Sequence, residues 1–550
     1  MVAVLVAGWF VLAALVVAAW PKINADKAWR TGALTLTLAF SLLHQLLFRA
    51  VADDAYVTFR YALHIADGRG AVFNTGERVE GYGSFLWMVL LSLLKTVFGA
   101  DIVTAASVLG VLCTLAAVVV AFVLVNRIVA AAGRDEPALG VAAAVLTAGA
   151  GGLAAHGTSG TETGLFVLLV LSVALALACR RPVVGGVLVA LAVMTRPDGF
   201  VFALVAVAWL LVSAARGRSS WWAPGAFALG ALVLVVPWTA WRVTYYGHLV
   251  PDSIAVRLGR PVGDQLAAGW HYLSGFSLVH QGFLLLALGA VAALAGRRGA
   301  KTTAAARSLV WLVLAAAIGF VAGAVAIGGE AVPAWRLLAP VPPLLAVAAA
   351  AACGLLAKDG EETSRRTLSS RRVVPAVALG LCGVSLVVSV ESGELLPRID
   401  AGRARTADLA VLGSWLGERL PPGSVIATYG GGPLAYWAGT GVVVIDELGR
   451  TDDHIARKGT AVTTADGPLK VDHEYVVNLR SPLLAVSAEG FTPRQRCAMD
   501  PVYAGRYQVA TFKRTGTNQW VALYPRSELA ARFIADLDAD PRFDYLPCPG

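Results

Sequence analysis

Residues 102–126 read IVTAASVLGVLCTLAAVVVAFVLVN, a run without a charged side chain. At about 1.5 Å of rise per residue, such a helix crosses a hydrocarbon core of about 30 Å. Comparable runs lie near 2–20, 31–49, 137–155, 164–179, 183–194, 199–214, 224–242, 281–296, 309–327, 337–356 and 373–392. Together they predict an α-helical polytopic membrane protein of about 12 spans. A further apolar stretch, 84–100, is interrupted by Lys95 and is expected either to span or to lie along the interface. The first run, Val2 to Trp20, has no basic n-region and no clear cleavage site, so it counts as a span rather than a signal peptide.

Composition agrees. The 550 residues are 57% hydrophobic and 15% charged, with a mean hydropathy of +0.68. A soluble domain is nearer half apolar and a quarter charged. The net charge of +9 does not imply a nucleic-acid partner, because the basic residues sit in short gaps between apolar runs. One set of gaps holds Lys22, Lys27 and Arg30; Arg127 and Arg134; Arg180 and Arg181; Arg216 and Arg218; Arg297, Arg298, Lys301 and Arg307; and Lys358, Arg365, Arg366, Arg371 and Arg372. The positive-inside rule makes these gaps cytoplasmic. The alternate segments, about 50–83, 156–163, 195–198, 243–280, 328–336 and everything after 392, are then outside, provided that 84–100 does not cross fully. The implied setting is a plasma membrane, with the bilayer itself as one partner.

Near 393 the apolar runs shrink to strand length and charges become frequent. The expected domains are therefore 1–392 in the membrane and 393–550 as an extracytoplasmic α/β or α+β domain, large enough for its own core. An amphipathic helix is expected from Ala407 to Leu420, stopped by Pro421-Pro422-Gly423. Val425–Tyr429 and Val442–Ile445 read as strands, and Tyr507–Phe512 with Gln519–Tyr524 as a hairpin around Thr515-Gly516-Thr517-Asn518. Gly430-Gly431-Gly432 lacks the spacing of a nucleotide-binding loop and reads as a tight turn. Cys113, Cys179, Cys353 and Cys382 lie in apolar runs. Cys497 and Cys548 are the pair in the exported tail, where an oxidising compartment permits a disulfide. No metal-type Cys or His spacing is present.

The outer segments carry the chemistry. The first holds Asp53-Asp54-Ala55-Tyr56-Val57-Thr58-Phe59-Arg60-Tyr61, then Val72-Phe73-Asn74-Thr75-Gly76-Glu77-Arg78-Val79-Glu80-Gly81-Tyr82. Adjacent carboxylates at a membrane boundary are costly unless hydrated, paired or used. On charge alone they could simply pair with Arg60 or Arg78. Further along come Ser159-Gly160-Thr161-Glu162-Thr163, Thr195-Arg196-Pro197-Asp198-Gly199, Gly247-His248-Leu249-Val250-Pro251-Asp252-Ser253, Gly328-Gly329-Glu330 with Trp335-Arg336, and Ile445-Asp446-Glu447-Leu448-Gly449-Arg450-Thr451-Asp452-Asp453-His454-Ile455-Ala456-Arg457.

In these motifs and their order, the chain resembles bacterial GT-C glycosyltransferases, and more narrowly the actinobacterial branch of terminal β-(1→2)-arabinofuranosyltransferases of the cell wall. A span precedes the one leading to the Asp pair, so the amino terminus would be outside, unlike the simplest family plan. The resemblance implies transfer of a sugar from a polyprenyl-phosphate donor to a glycan acceptor. It implies Asp53 as general base, with Asp54 supporting it or holding a metal. Arg196 and Arg336 become candidates for the donor phosphate, because a guanidinium matches phosphate oxygens bidentately; a snorkelling interface residue is the plainer role for each. His248 is a further phosphate contact or merely an exposed loop residue. Glu162 orients the acceptor or a cation, or is a loop carboxylate. Asp198, Tyr56, Arg60 and Glu330 are expected to contact the acceptor or support the site. No cofactor is certain; a divalent cation (Mg, Mn or Ca) on Asp54 and Glu162 is left open, with few other carboxylates near this loop apart from Glu77 and Glu80. A general base suits inverting transfer, while retention would give Asp53 another role. The sugar stays open between arabinofuranose and mannose or another hexose. The rival classes are a lipid transporter, disfavoured by the lack of an internal repeat, and a non-enzymatic glycan-binding scaffold, disfavoured by the Asp pair.

Overall fold

The computed structural model describes every residue except 1, 257–260, 296–303, 331, 357–364, 392, 394, 465–466 and 549–550. Arg297, Arg298, Lys301 and Lys358, assigned above to the cytoplasmic side, lie outside the described residues. The side chains of Arg365, Arg366, Arg371 and Arg372 do too.

Two compact units are present, and both are discontinuous in sequence. The first comprises Met1–Ala50, Ala106–Ala240 and Pro261–Ile399; the second comprises Val51–Ala105, Trp241–Arg260 and Asp400–Gly550. The sequence suggested a single division at 392. The second unit also takes in the first loop and the stretch around His248.

The first unit is helical. Each apolar run of the sequence is helical over most of its described residues. Among the described residues, five helices are long and apolar enough to cross a membrane, or seven if each of two bent helix pairs is one span. Pro137–Ala148 is buried along its whole length, as expected of a helix that is apolar all round at the centre of a bundle. By contrast Leu204, Leu288 and Ile318 stand exposed on the outside of the unit. Aliphatic surface on that scale marks contact with lipid or protein rather than water. Close helix contact relies on small residues. A Cβ on Gly186 would collide with the carbonyl of Phe227, and one on Gly230 with the carbonyl of Val183, so Pro182–Thr195 and Trp222–Tyr246 meet backbone to backbone.

Two expectations are corrected here. The run 137–155 is not one helix; Pro137–Ala148 and Gly151–Gly157 meet at 68°. The glycines at 149, 151 and 152 weaken helix at this point, and the buried His44 places Nδ1 2.9 Å from the Ala148 carbonyl, which the break releases. The stretch 243–280 is not all loop, since Val262–Val279 is an 18-residue helix that meets Gln281–Ala295 at 90°. Its polar residues hide its character in a hydropathy reading. Packing reveals it: a Cβ on Gly269 would collide with Val325 O, and Gln265 Nε2 donates to Ala326 O at 2.8 Å.

Among its described residues the second unit contains eight strands: β1 (Val425–Thr428), β2 (Val443–Asp446), β3 (Thr460–Thr464), β4 (Gly467–Val471), β5 (Leu484–Thr492), β6 (Ala510–Arg514), β7 (Trp520–Pro525) and β8 (Phe543–Tyr545). Six form one sheet in the order β2-β1-β5-β7-β6-β8, and β3 pairs with β4. β1 runs parallel to both β2 and β5; the other pairings of the large sheet are antiparallel. The α/β or α+β expectation for the tail thus corresponds to a mixed sheet with helices, and β6–β7 is the expected hairpin. Ala427, Ile445, Ala485, Tyr503 and Tyr524 form part of its core. Cys497 and Cys548 are joined, with Cα atoms 5.6 Å apart.

The first loop is built into this unit. Helix Ala55–Ala66 packs on Phe85–Phe98 and on Gly432–Trp437. At 14 residues Phe85–Phe98 is short for a span, and its buried Trp87, Met88 and Leu91 face the unit. Asn74 accepts from Val444 N and donates to Val444 O, both at 2.9 Å. Its amide thereby covers the open edge of β2, an edge that otherwise invites pairing with another chain.

Candidate functional site

Asp53 and Asp54 form the turn that starts helix Ala55–Ala66. The carbonyl of Asp53 accepts from Tyr56 N at 3.2 Å, and that of Asp54 from Val57 N at 3.3 Å. β1 ends in the glycine run 430–432, which leads into helix Gly432–Trp437 and is packed against this turn. A Cβ on Gly432 would meet Asp53 and the side chain of Tyr56. Tyr56 is buried and sits edge-on to Phe59 and to Tyr436, at centroid distances of 5.2 and 5.6 Å. Burial pushes the Tyr56 hydroxyl above its ordinary range, so it stays protonated as a donor. The backbone of Asp53 is thus fixed by the helix-starting turn and by the glycine run packed on it.

Arg60 is fully buried one turn further on. Its guanidinium donates to the carbonyls of Phe73 (2.7 Å), Gly439 (3.0 Å), Val442 (2.7 Å) and Ala435, and to Asn74 Oδ1 (3.3 Å). These acceptors are neutral, and burial lowers its pKa to about 9. Arg60 therefore ties the first loop to the carboxyl-terminal part of the unit. Its partners are backbone carbonyls and the Asn74 amide.

The specific motif at 445–457 does similar work. Asp446 accepts from Gly430 N, Leu448 N and Arg450 N and pairs with Arg450 Nε at 3.2 Å, fixing the loops that follow β1 and β2. Glu447 is buried against the Tyr503 hydroxyl at 2.5 Å. Asp452 caps Asp453–Lys458 by accepting from Ile455 N. His248 lies in a chain of ion pairs: its Nε2 is 3.2 Å from Asp453 Oδ1, the same atom contacts Arg457 Nε, and Arg457 Nη2 reaches Asp252 Oδ1 at 2.6 Å. Asp252 in turn accepts from Glu80 N, and Glu80 pairs with Arg242 at 3.3 Å.

The remaining candidates belong to the first unit. Arg196 follows helix Pro182–Thr195 and grips Asp198 through two bonds, of 3.0 and 2.8 Å. It also donates to the Arg336 carbonyl at 3.1 Å and stacks over Phe166. Arg336 grips Glu330 in the same forked way, at 3.1 and 2.9 Å. Ala334 and Trp335, just before it, adopt φ of 67° and 49°. Two successive side-chain-bearing residues in the left-handed region store strain, a feature that concentrates at functional sites. Glu162 is buried at the start of Thr163–Ala178, close enough to Arg196 to act on its charge. A chain of hydroxyls, Ser159 to Thr161 at 2.7 Å and Thr161 to Thr163 at 3.1 Å, runs beside it. Among the described residues, no group of three or more His, Cys, Asp or Glu side chains is placed to hold a metal ion.

The structure thus gathers Arg196, Asp198, Glu330, Arg336 and Glu162 in the first unit. It gathers Asp53, Asp54, Tyr56 and Arg60 in the second, where His248 is also found, on the ion-pair chain. Sequence reasoning missed Gly432 and Tyr436 as neighbours of Asp53. The triple glycine was the one local signal, and it announced a turn rather than a partner.

This architecture has the GT-C fold. The chain is similar to ArnT from Cupriavidus metallidurans, solved bound to undecaprenyl phosphate, with a TM-score of 0.54 and 14% identity over 91% of this chain and 99% of that one. It is also similar to the archaeal oligosaccharyltransferase AglB from Archaeoglobus fulgidus, solved with an inhibitory peptide and a dolichol-phosphate. There the TM-score is 0.51 and the identity 11%, over 91% of this chain and 75% of that one. In sequence it resembles the terminal β-(1→2)-arabinofuranosyltransferase of Mycobacterium tuberculosis, 29% identical over 42% of this chain and 38% of the relative. Its counterpart in Corynebacterium glutamicum is 28% identical over 54% of this chain and 47% of the relative. The chain thus spans less than half the length of these curated relatives. Residues 399–524 match a family model described as a domain of unknown function, DUF8728.

Proposed function

We propose that the chain is a membrane glycosyltransferase of the GT-C class. It moves a sugar, arabinofuranose before mannose or another hexose, from a polyprenyl-phosphate donor to a cell-envelope glycan. The observation that carries this reading is the setting of Asp53, a carboxylate fixed at the start of a buried helix in a chain similar to arabinofuranosyltransferases. In the reaction, an acceptor hydroxyl oxygen bonds to the anomeric carbon as the carbon–phosphate-oxygen bond breaks. Asp53 takes the hydroxyl proton, and the polyprenyl phosphate leaves with the electron pair. Arg196 and Arg336 are assigned to the donor phosphate. Asp198 and Glu330 hold their guanidinium planes in fixed orientations, which suits bidentate recognition. Asp54 supports Asp53 or, with a divalent cation, helps neutralise the leaving group.

The reading also places about 12 spans in the plasma membrane, with residues 50–83 and 393–550 at the outer face. The exposed Thr75, changed to cysteine, should then react with an impermeant thiol reagent added outside. Activity is tested with the purified full chain, a glycan acceptor and polyprenyl-phosphate donors carrying arabinofuranose or a hexose. The expected product comes from the arabinofuranosyl donor and disappears in Asp53→Asn. A product only from the hexosyl donor would move the assignment to a hexosyltransferase, and no transfer from any donor would count against an enzyme.

A further inference from the structure

A cavity of about 290 Å³ opens in the first unit, between helices Pro137–Ala148, Gln281–Ala295, Val341–Leu356 and Arg365–Glu391. It is well above the roughly 150 Å³ at which an apolar cavity stays dry and admits an apolar molecule. Its wall is almost wholly hydrocarbon. Leu146, Leu286 and Ala290 form a buried floor, while Leu285, Val373 and Val377 make an exposed rim, so the cavity is open on the surface of the unit. The lining residues share one feature. Their four helices all adjoin basic loops: they line the cavity with Leu139 to Leu146 of Pro137–Ala148, Leu285 to Ala293 of Gln281–Ala295, Ala349 to Cys353 of Val341–Leu356 and Val373 to Leu381 of Arg365–Glu391.

The cavity is distinct from the donor-phosphate candidates. Arg336 precedes Val341–Leu356, and the lining residues of that helix, Ala349 to Cys353, come about 20 Å further along it. Charge gathers at the cavity's own end. Arg134 donates to the carbonyl of Gly354 at 2.6 Å and Arg307 donates to the carbonyl of Leu294, so two guanidiniums sit on the carboxyl ends of two lining helices. In sequence, Arg371 and Arg372 directly precede Val373 of the rim. Beside Arg134, the acids next in sequence are Asp135 and Glu136.

We propose that this cavity binds one acyl chain of an anionic phospholipid from the leaflet facing the basic loops, with the phosphate headgroup beside Arg134 and Arg307. An open apolar slot next to arginines fits a lipid of negative headgroup better than a zwitterionic one. The proposal depends only on the chain's being embedded in a bilayer and not on the sugar-transfer reading.

The test is native mass spectrometry of the full chain in mild detergent, incubated with phosphatidylglycerol, phosphatidylcholine or a polyprenyl phosphate. Gly289→Phe fills the slot, since a Cβ there meets nothing within 4 Å; Val377→Trp fills it from the exposed rim. The expected result is retention of phosphatidylglycerol about tenfold or more above phosphatidylcholine. Both filling variants should lose it while keeping the wild-type melting temperature, and Arg134→Gln should weaken the preference. Equal retention of the two phospholipids, or unchanged retention in both filling variants, would overturn the proposal. Preferential retention of polyprenyl phosphate would overturn it too, by giving the cavity to a donor-type tail.

Discussion

A Cβ placed on Gly432 would stand 2.6 Å from the carbonyl oxygen of Asp53 and 3.2 Å from its Oδ1. Only a glycine lets the turn after β1 lie this close to the start of Ala55–Ala66. Gly432→Ala should therefore push Asp53 aside. A displacement of about 1 Å at a reacting group can lower turnover about 100-fold. Transfer rate and thermal unfolding, measured together, check this: activity should fall with little change in melting temperature.

Asp53→Asn keeps shape and hydrogen bonding but cannot accept a proton at neutral pH. Loss of a general base costs about 100- to 10,000-fold in rate. Asp54→Asn should cost less if it supports Asp53, and as much if it holds a cation. Chelation followed by addition of Mg²⁺, Mn²⁺ or Ca²⁺ separates these cases. Near wild-type turnover in a folded Asp53→Asn protein would remove the catalytic assignment.

Arg60→Ala would leave several buried carbonyls without their donor. Each unsatisfied group costs about 1–3 kcal/mol, so the second unit should lose about 3 kcal/mol or more. Arg60→Lys has fewer and differently placed donors and should recover only part of it. Melting temperatures in one detergent report the order wild type, Lys, Ala.

Burial raises the Glu80 carboxyl from 4.5 to about 7, although Arg242 opposes the shift; Asp252, also facing it, adds to it. The folded protein therefore holds a proton that the unfolded chain releases at lower pH. This contribution to stability is full below about pH 4.5 and is lost as the pH rises through about 7. Glu80→Gln mimics the neutral form. Across that window, its melting temperature should fall less with rising pH than that of the wild type.

The Cys497–Cys548 bond spans 51 residues of sequence. Closing a loop of that length stabilises by about 4 kcal/mol in the chain-entropy picture. Alkylation of the unfolded, unreduced chain should label four cysteines, Cys113, Cys179, Cys353 and Cys382. Cys548→Ser should lower the melting temperature of the second unit.

By itself the sequence determined the helical runs, the mixed tail with its β6–β7 hairpin and the turn at the triple glycine. Each depends on hydropathy, charge or backbone preference within a few residues, and those are local quantities. Only the tertiary structure decided that the first loop belongs with the tail. The contacts that do so, Asn74 on Val444 and Arg60 on the carbonyls of 435–442, join residues about 370 apart in sequence, and their acceptors are mostly backbone groups that any residue carries. The tertiary structure likewise decided which charges are already committed. His248, a phosphate contact or an exposed loop residue by its motif, stands against Asp453, and the two donor-phosphate candidates, Arg196 and Arg336, each stand against a carboxylate. Sequence shows which ionisable groups are present, but their partners follow from folding, because a buried charge must be matched wherever the chain brings an opposite one within reach.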